Sequence, residues 1–385
     1  MTELRRNMAI KSAVRFSFIA AIISTLKSYM LKPEDYEMLF KSASIDDAYE
    51  VLQRTYYRTC FSGAREKMEI ETFERRMYED YFNTFNKIYR ACPKASLEVI
   101  DAMYLKHELY SLKMILRALL SGLDTESALQ TVNPIGRYSP DVCRSILESR
   151  SIQTAIDSVK EIIALHRTLT DVLKQQKELL LPYLLEATID RYSLMNLWKS
   201  LSIKILMFKL KNYQPFNIWN SLSPHSDSFA RRIVGKMADL LNIMFILRSK
   251  YLGLEADVIR SFIIPIHHYL PSSELERVIQ APALRDAMQL LSLGHYGKLI
   301  TRASLGLEID QALSEIEINF DRYIARECLY SFQGIRFHVG IIIAYLMLKF
   351  NEMSDIRAIL FGKVNKLPID DIRRKLILHH AFASR

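Results

Sequence analysis

The chain has 385 residues, with 52 Lys and Arg against 43 Asp and Glu, a formal excess of +9. Half of its residues are hydrophobic and 25% are charged, the balance of a globular protein with an ample core, which excludes a disordered or fibrous chain. Gly and Pro number only 11 each, and good helix formers fill the intervals. No stretch alternates with period two, and no Asn-Gly or Asp-Gly hairpin signal occurs. The expected fold class is all-α.

The first element is basic, with Arg5, Arg6 and Lys11, and then apolar from Val14 to Leu26. That order resembles a signal peptide, but Arg15 interrupts the apolar stretch and no small-x-small cleavage site follows. A first amphipathic helix is the expectation. Next comes Pro33-Glu34-Asp35, a helix opening: Pro lacks the N–H that has no partner there, and carboxylates complement the helix dipole. The same opening returns at Pro140-Asp141 and at Pro271-Ser272-Ser273-Glu274, and a truncated fourth copy is read at Pro368-Ile369-Asp370-Asp371. An apolar helix face follows each of the first three, marked by Ala48, Ala155 and Ala287. Residues 151–180 carry Ile152, Ala155, Ile156, Val159, Ile162, Ile163, Leu169, Val172 and Leu173 at three-to-four spacing, which predicts one amphipathic helix.

Each copy then carries an acid-Arg-Tyr stretch: Glu71 to Tyr78, Glu186 to Tyr192 and Glu317 to Tyr323. Each closes on an apolar run ending in Arg, four residues, and Gly: Arg117 and Gly122, Arg248 and Gly253, Arg357 and Gly362. The Gly is expected just past a helix end with left-handed backbone, and the Arg in the last turn, where it favours the dipole and can meet an acid of an acid-Arg-Tyr stretch. Residues 340–350 are apolar almost all round, which predicts a buried helix. The order Pro-acid, Ala, acid-Arg-Tyr, Arg-Gly divides the chain into units at 29–130, 131–264 and 265–365, so that the expected domains are 1–130, 131–264 and 265–385. Repetition of one helical unit points to an architecture rather than a cleft.

Catalytic chemistry is missing from the pattern. No phosphate loop, dinucleotide fingerprint or nucleophile elbow is present. His107-Glu108 lacks the second His of a zinc helix, and the doublets His267-His268 and His379-His380 read as polar surface or tail. The carboxylates of 34–50 and 66–80 alternate with bases as solvated helix faces do. No catalytic, cofactor or metal residue is expected, and the protein is expected not to be an enzyme. Cys60, Cys92, Cys143 and Cys328 are far apart, which suits a reducing compartment. No apolar segment reaches the roughly 20 residues of a membrane span. Basic clusters at Arg5-Arg6, Arg231-Arg232 and Arg373-Arg374-Lys375 are diffuse, and no RNA- or DNA-binding motif accompanies them.

Particular stretches resemble the C subunit of the archaeal A-type and bacterial V-type rotary ATP synthase/ATPase, a relative of the d subunit of the vacuolar enzyme. They are Val14-Arg15-Phe16, Leu26-Lys27-Ser28-Tyr29-Met30-Leu31-Lys32-Pro33-Glu34-Asp35-Tyr36, and Leu52-Gln53-Arg54-Thr55-Tyr56-Tyr57. Further along are Asn242, Leu247-Arg248-Ser249-Lys250 and Gly253, then Glu352, Asp355-Ile356-Arg357 and Gly362-Lys363. Asp355 stands where that family usually has Asn, Ser111-Leu112-Lys113 where Asn-Leu-Lys is common, and Leu119 where a base is. The resemblance implies an all-α funnel with pseudo-threefold symmetry and no catalysis of its own. It implies a central-stalk socket, one copy per complex, between the central shaft made by the D and F subunits and the membrane rotor ring of proteolipid subunits. Torque would pass through it for proton or sodium transport, with peripheral attachment at the cytoplasmic face of the cell membrane and no nucleic acid. The alternative on composition and repetition alone is a helical-repeat scaffold for other proteins or RNA.

Overall fold

The computed structural model describes residues 2–62, 68–175, 180–201, 226–304, 308–334 and 336–383. The side chains of Arg5, Arg6, Lys11 and Arg15, singled out above, lie outside the described residues. Among the described residues the secondary structure is helical, and the one β feature is an isolated bridge between Ile135 and Tyr138.

After α1 (Thr2–Ser28), one order of main elements occurs three times among the described residues, with a further 3-10 turn at Lys94–Ser96 in the first set. The first set is α2 (Pro33–Lys41), α3 (Ile45–Gln53), a 3-10 turn (Tyr56–Phe61), α4 (Ile70–Ala91), α5 (Leu97–Leu120) and α6 (Thr125–Thr131). The second is α7 (Pro140–Glu148), α8 (Ile152–Asp157), α9 (Ile163–Gln175), α10 (Leu181–Ser200), α11 (Ser226–Tyr251) and α12 (Ala256–Phe262). The third is α13 (Ser272–Gln280), α14 (Leu284–Ser292), α15 (Gly297–Ser304), α16 (Ile309–Tyr330), α17 (Gly340–Val364) and α18 (Ile369–Lys375), and α19 (Leu378–Ala383) ends the chain. Each set therefore runs through an opening helix, a second short helix, a third turn or helix, two long helices and a closing helix of 7 residues.

Local chemistry sets these boundaries. Pro33 and Pro140 occupy the first turn of α2 and α7, whereas Pro271 and Pro368 sit one position earlier, as the N-caps of α13 and α18. Asp35 and Asp47 reach back to the N–H of Lys32 at 2.8 Å and of Ser44 at 2.9 Å, satisfying donors that a helix start leaves open.

Two expectations are corrected. The amphipathic stretch of 151–180 is not one helix: α8 stops at Asp157 and α9 starts at Ile163. Between them Ser158, Val159 and Lys160 donate to carbonyls three residues back, and the Ser158 hydroxyl bonds Ala155 O at 2.6 Å. A side chain competing for the helix carbonyls is the local cause. The Pro368 stretch is also not a fourth opening. The helix it starts has the length and place of α6 and α12, so it closes the third set.

By compactness the chain forms two units, one of Met1–Leu97, Ile205–Met237 and Tyr296–Arg385, the other of Glu98–Lys204 and Ala238–His295. In the first, α17 is the central element. It packs on α1, α3, α4, α16, α18 and α19, and Gly340 to Leu346 is buried without a break, the burial that a helix apolar all round requires. Phe16, Ile19, Ala20, Ile23 and Leu26 form the inner face of α1 in the same unit. The second unit has a continuous core from Leu109 to Ile189, with Phe245, Leu254 and Phe262 packed on it.

Candidate functional site

The residues marked by the sequence repeat lie at the ends of the long helices. Gly122 and Gly253 have φ of +67° and +71°. The following leucines donate back across the cap, Leu123 N to Ala118 O at 3.1 Å and Leu254 N to Ser249 O at 2.9 Å, the two-residue closure that needs a left-handed residue. Arg117 and Arg248 occupy the last turns of α5 and α11.

The third copy departs from this expectation. Gly362 has no left-handed φ; it lies inside α17, where an added Cβ would run into the Ile372 side chain of α18. The equivalent cap is Lys366, at φ +53°, and Leu367 N donates to Gly362 O at 2.8 Å. Arg357 accordingly lies well inside α17, and the third copy is offset by about one helical turn from the Arg-Gly alignment. Gly362 serves close packing between two helices, and the strain of the cap falls on a lysine.

Two of the three arginines meet acids of the acid-Arg-Tyr helices. Arg117 pairs with Glu186 through two contacts of 2.5 Å, and Arg357 Nε lies 3.3 Å from Glu74. Lys113 joins the first pair, donating to Asp190 at 2.7 Å. Burial pushes the Glu74 carboxyl up, and Arg357 opposes that shift. The arginines of the second and third acid-Arg-Tyr stretches instead cover closing helices, whereas Arg76 of the first donates to Cys60 O at 2.9 Å and Ser62 O at 3.0 Å, at the end of the 3-10 turn. Arg191 donates to Ser261 O at 2.8 Å, and Arg322 to Arg374 O at 2.6 Å and Leu376 O at 3.0 Å. This shared role is a second reason to equate α18 with α12.

In the corrected register, a buried acid recurs in the second long helix of each set and holds the chain just before an opening helix. Glu108 accepts the Arg137 N–H at 2.9 Å, ahead of α7. Asp239 accepts from His268 N at 3.0 Å and Tyr269 N at 2.7 Å, ahead of α13. Glu352 accepts from Leu31 N at 2.6 Å, ahead of α2. The links run from first set to second, from second to third, and from third back to first.

Three residues beyond each acid stands a second polar anchor, which holds the chain 22 residues on, past the closing helix of the same set. Ser111 donates to Asn133 O at 2.6 Å, and Asn242 both donates to Ile264 O at 3.0 Å and accepts from Ile264 N at 2.8 Å. Asp355 accepts from the N–H groups of Ile377, Leu378 and His379 at 2.7, 2.9 and 3.1 Å, and from the Tyr36 hydroxyl at 3.3 Å. His379 is not plain polar surface: its ring lies against Tyr36 and Phe40, 3.5 Å from Glu37.

Further along the helix come Lys250 and Lys363, at matching positions past Asn242 and Asp355. Lys250 donates to Ile279 O at 2.8 Å and Ala281 O at 2.5 Å, at the end of α13; Lys363 reaches Ser42 O at 2.5 Å, at the end of α2. A cation on the last carbonyls of a helix satisfies orphan acceptors and complements the dipole. In the first set this position is Leu119, whose side chain has no donor to form the clamp.

The electrostatics follow from burial. Glu352 is fully buried, and its other oxygen takes the Tyr57 hydroxyl at 2.7 Å and the Lys349 ammonium at 2.8 Å. Burial, reinforced by that carboxylate, drives the Tyr57 pKa well above its ordinary value. Burial pushes the Asp355 carboxyl up to about 7 against the pull of its three backbone donors. His107, beside Glu108, is held down to about 3 by burial.

These acids and lysines are occupied in tying backbone to backbone, an arrangement suited to rigidity rather than to proton transfer or nucleophilic attack. Among the described residues no group of His, Cys, Asp or Glu is placed to hold a metal ion, and no helix is long and apolar enough to cross a membrane. From sequence, Glu108 and Ser111 were noted without this anchoring role, and Asp239 was not noted. Their signal was there: an acid, then three residues later Ser, Asn or Asp, inside an apolar helix and at a fixed distance from its cap. Alignment on Gly362 concealed it by shifting the third copy one turn.

The pattern that defines the family described as "ATP synthase (C/AC39) subunit" matches residues 19–375. The chain is similar to the A-type ATP synthase C subunit of Methanococcoides burtonii, 24% identical over 369 residues, 95% of each chain. It is 20% identical to the corresponding C subunit of Methanocaldococcus jannaschii over 94% of this chain and 86% of that one. With the C subunit of Thermococcus kodakarensis it shares 21% identity over 89% of this chain and 85% of the relative.

Proposed function

The chain belongs to the ATP synthase (C/AC39) subunit family, non-catalytic subunits of a rotary ATPase, and from that premise we propose that it is the central-stalk socket of such an enzyme. It receives the end of the central shaft formed by the D and F subunits and rests on the membrane ring of proteolipid subunits. Torque passes through it in proton or sodium transport coupled to ATP synthesis or hydrolysis. One copy serves each complex, attached peripherally at the cytoplasmic face, and residues 1–130, 131–264 and 265–385 act as three similar helical units.

The observation that carries this reading is the third link, Glu352 to the N–H of Leu31. A linear array of repeats leaves its last unit without a successor to hold. Here the last long helix holds the first opening helix through the same kind of bond that joins the others. A buried bond from the last long helix to the start of the first set suits a part that must resist twisting. Buried, hydrogen-bonded polar networks supply the rigidity that transmission of torque requires.

Recovery of a tagged chain from gently solubilised native membranes tests the reading. The catalytic subunits, the shaft subunits and the proteolipid should come with it. A chain recovered alone, or bound to ribonucleoprotein, would overturn the proposal.

A further inference from the structure

Helix α1 carries apolar side chains on two faces, and the fold buries only one of them. Its inner face, Phe16, Ile19, Ala20, Ile23 and Leu26, is core. On the opposite side Val14 and Phe18 are 75% and 67% exposed, one helical turn apart, and Ala21 and Thr25 continue the same exposed stripe. Monomeric surfaces tolerate single exposed apolar residues; a stripe along one helix needs a reason.

Charge identifies the reason. Between Leu4 and Pro33 the sequence has six Lys or Arg (Arg5, Arg6, Lys11, Arg15, Lys27 and Lys32) and no Asp or Glu, in a chain whose whole excess is +9. Two-thirds of the net charge thus belongs to the stretch that exposes the apolar stripe. Beside it, Ser24, Lys27 and Ser28 line a cleft with Leu329, Phe332, Gln333 and Arg336. Two cations are held in place there. The Lys27 ammonium stands 5.0 Å from the Phe332 ring centre, and Arg336 donates to Phe332 O at 3.1 Å and to the Ser24 hydroxyl at 3.5 Å. Among the described residues no carboxylate lines the cleft.

We propose that α1 lies on an anionic phospholipid bilayer, with Val14 and Phe18 entering the headgroup–acyl boundary and the Lys27–Arg336 cleft taking a lipid phosphate. An interfacial helix combines a narrow apolar stripe with a basic flank, and each Lys or Arg near an anionic leaflet adds to the attraction. A protein partner on this stripe would need a surface both apolar and strongly acidic, whereas an anionic bilayer supplies both properties at once. The inference deepens the proposed peripheral placement: the chain touches lipid itself, beyond any contact with the ring.

The test is flotation of the purified full chain with vesicles of phosphatidylcholine alone or with about one part in three phosphatidylglycerol. Binding should be about tenfold stronger on the anionic vesicles and fade as salt rises. The double variant Val14→Ser/Phe18→Ser should lose about tenfold in binding with circular dichroism and Tm unchanged, since both side chains are exposed. Lys27→Gln/Arg336→Gln should narrow the gap between the two vesicle types. Equal binding to both vesicles, no binding, or an unaffected Val14→Ser/Phe18→Ser variant would each overturn the proposal. Should that variant instead lower recovery of the ATPase subunits while the native chain ignores vesicles, the stripe is a protein contact; the socket reading then survives and the lipid one does not.

Discussion

Glu352 and Leu31 lie 321 residues apart in sequence and 2.6 Å apart in space, carboxylate to backbone N–H. The bond has counterparts from Glu108 to Arg137 and from Asp239 to Tyr269, but it alone runs backwards along the chain. It ties α17, near the C-terminus, to a residue just ahead of the first opening helix.

Glu352→Ala should cost about 3–5 kcal/mol in urea unfolding, because it strands the buried Lys349 ammonium as well as the Leu31 N–H. Glu352→Gln keeps a carbonyl acceptor and should cost less, about 1–3 kcal/mol. Equal losses for the two variants would show that charge plays no part in the link.

The glycines separate by mechanism. Gly122→Ala and Gly253→Ala should each cost about 1 kcal/mol through left-handed backbone. Lys366→Gly should stabilise by up to about 1 kcal/mol for the same reason. Gly362→Ala should cost about 1–3 kcal/mol by overpacking against Ile372, and the added change Ile372→Ala should restore part of it. If Gly362→Ala is neutral, the account of close packing between α17 and α18 is wrong.

Lys250→Met and Lys363→Met each free helix-end carbonyls that the ammonium now satisfies. Losses of about 1–3 kcal/mol are expected in denaturant titration. A cost below about 0.3 kcal/mol at both sites would mean that water replaces the clamp.

Acid stability should depend on His107. Its folded pKa is held down to about 3 by burial, against 6.5 when free, so the unfolded chain binds the proton first. The stability tied to the neutral ring is complete above pH 6.5 and is lost as pH falls toward about 3, with a slope of up to about 1.4 kcal/mol per pH unit. His107→Gln should flatten unfolding free energy against pH over that window. An unchanged slope would place the acid sensitivity elsewhere.

Much of this molecule was legible in its sequence. Helical periodicity and scarce glycine predicted an all-α chain, and the Pro-acid pattern marked the starts of α2, α7 and α13, because those signals are local. Gly122 and Gly253 were readable as caps for the same reason. Gly362 misled because a Gly after an apolar run has two physical uses, left-handed turning and close approach, and only the position of Ile372 tells them apart. Glu108 and Asp239 looked like ordinary helix acids; what makes them anchors is the backbone that returns to meet them 29 residues later. The partner of Glu352 lay at the far end of the chain, where no local pattern points.

We propose that the chain couples a rotating shaft to a membrane ring without catalysing anything. Removing it from purified complexes in vesicles, and then adding it back, tests that claim most directly when ATP hydrolysis and ion uptake are followed together. Without the chain, the soluble catalytic part should continue to hydrolyse ATP while uptake ceases, and the purified chain should restore uptake. Full ion uptake in its absence, or loss of hydrolysis by the catalytic part on its removal, would contradict the account.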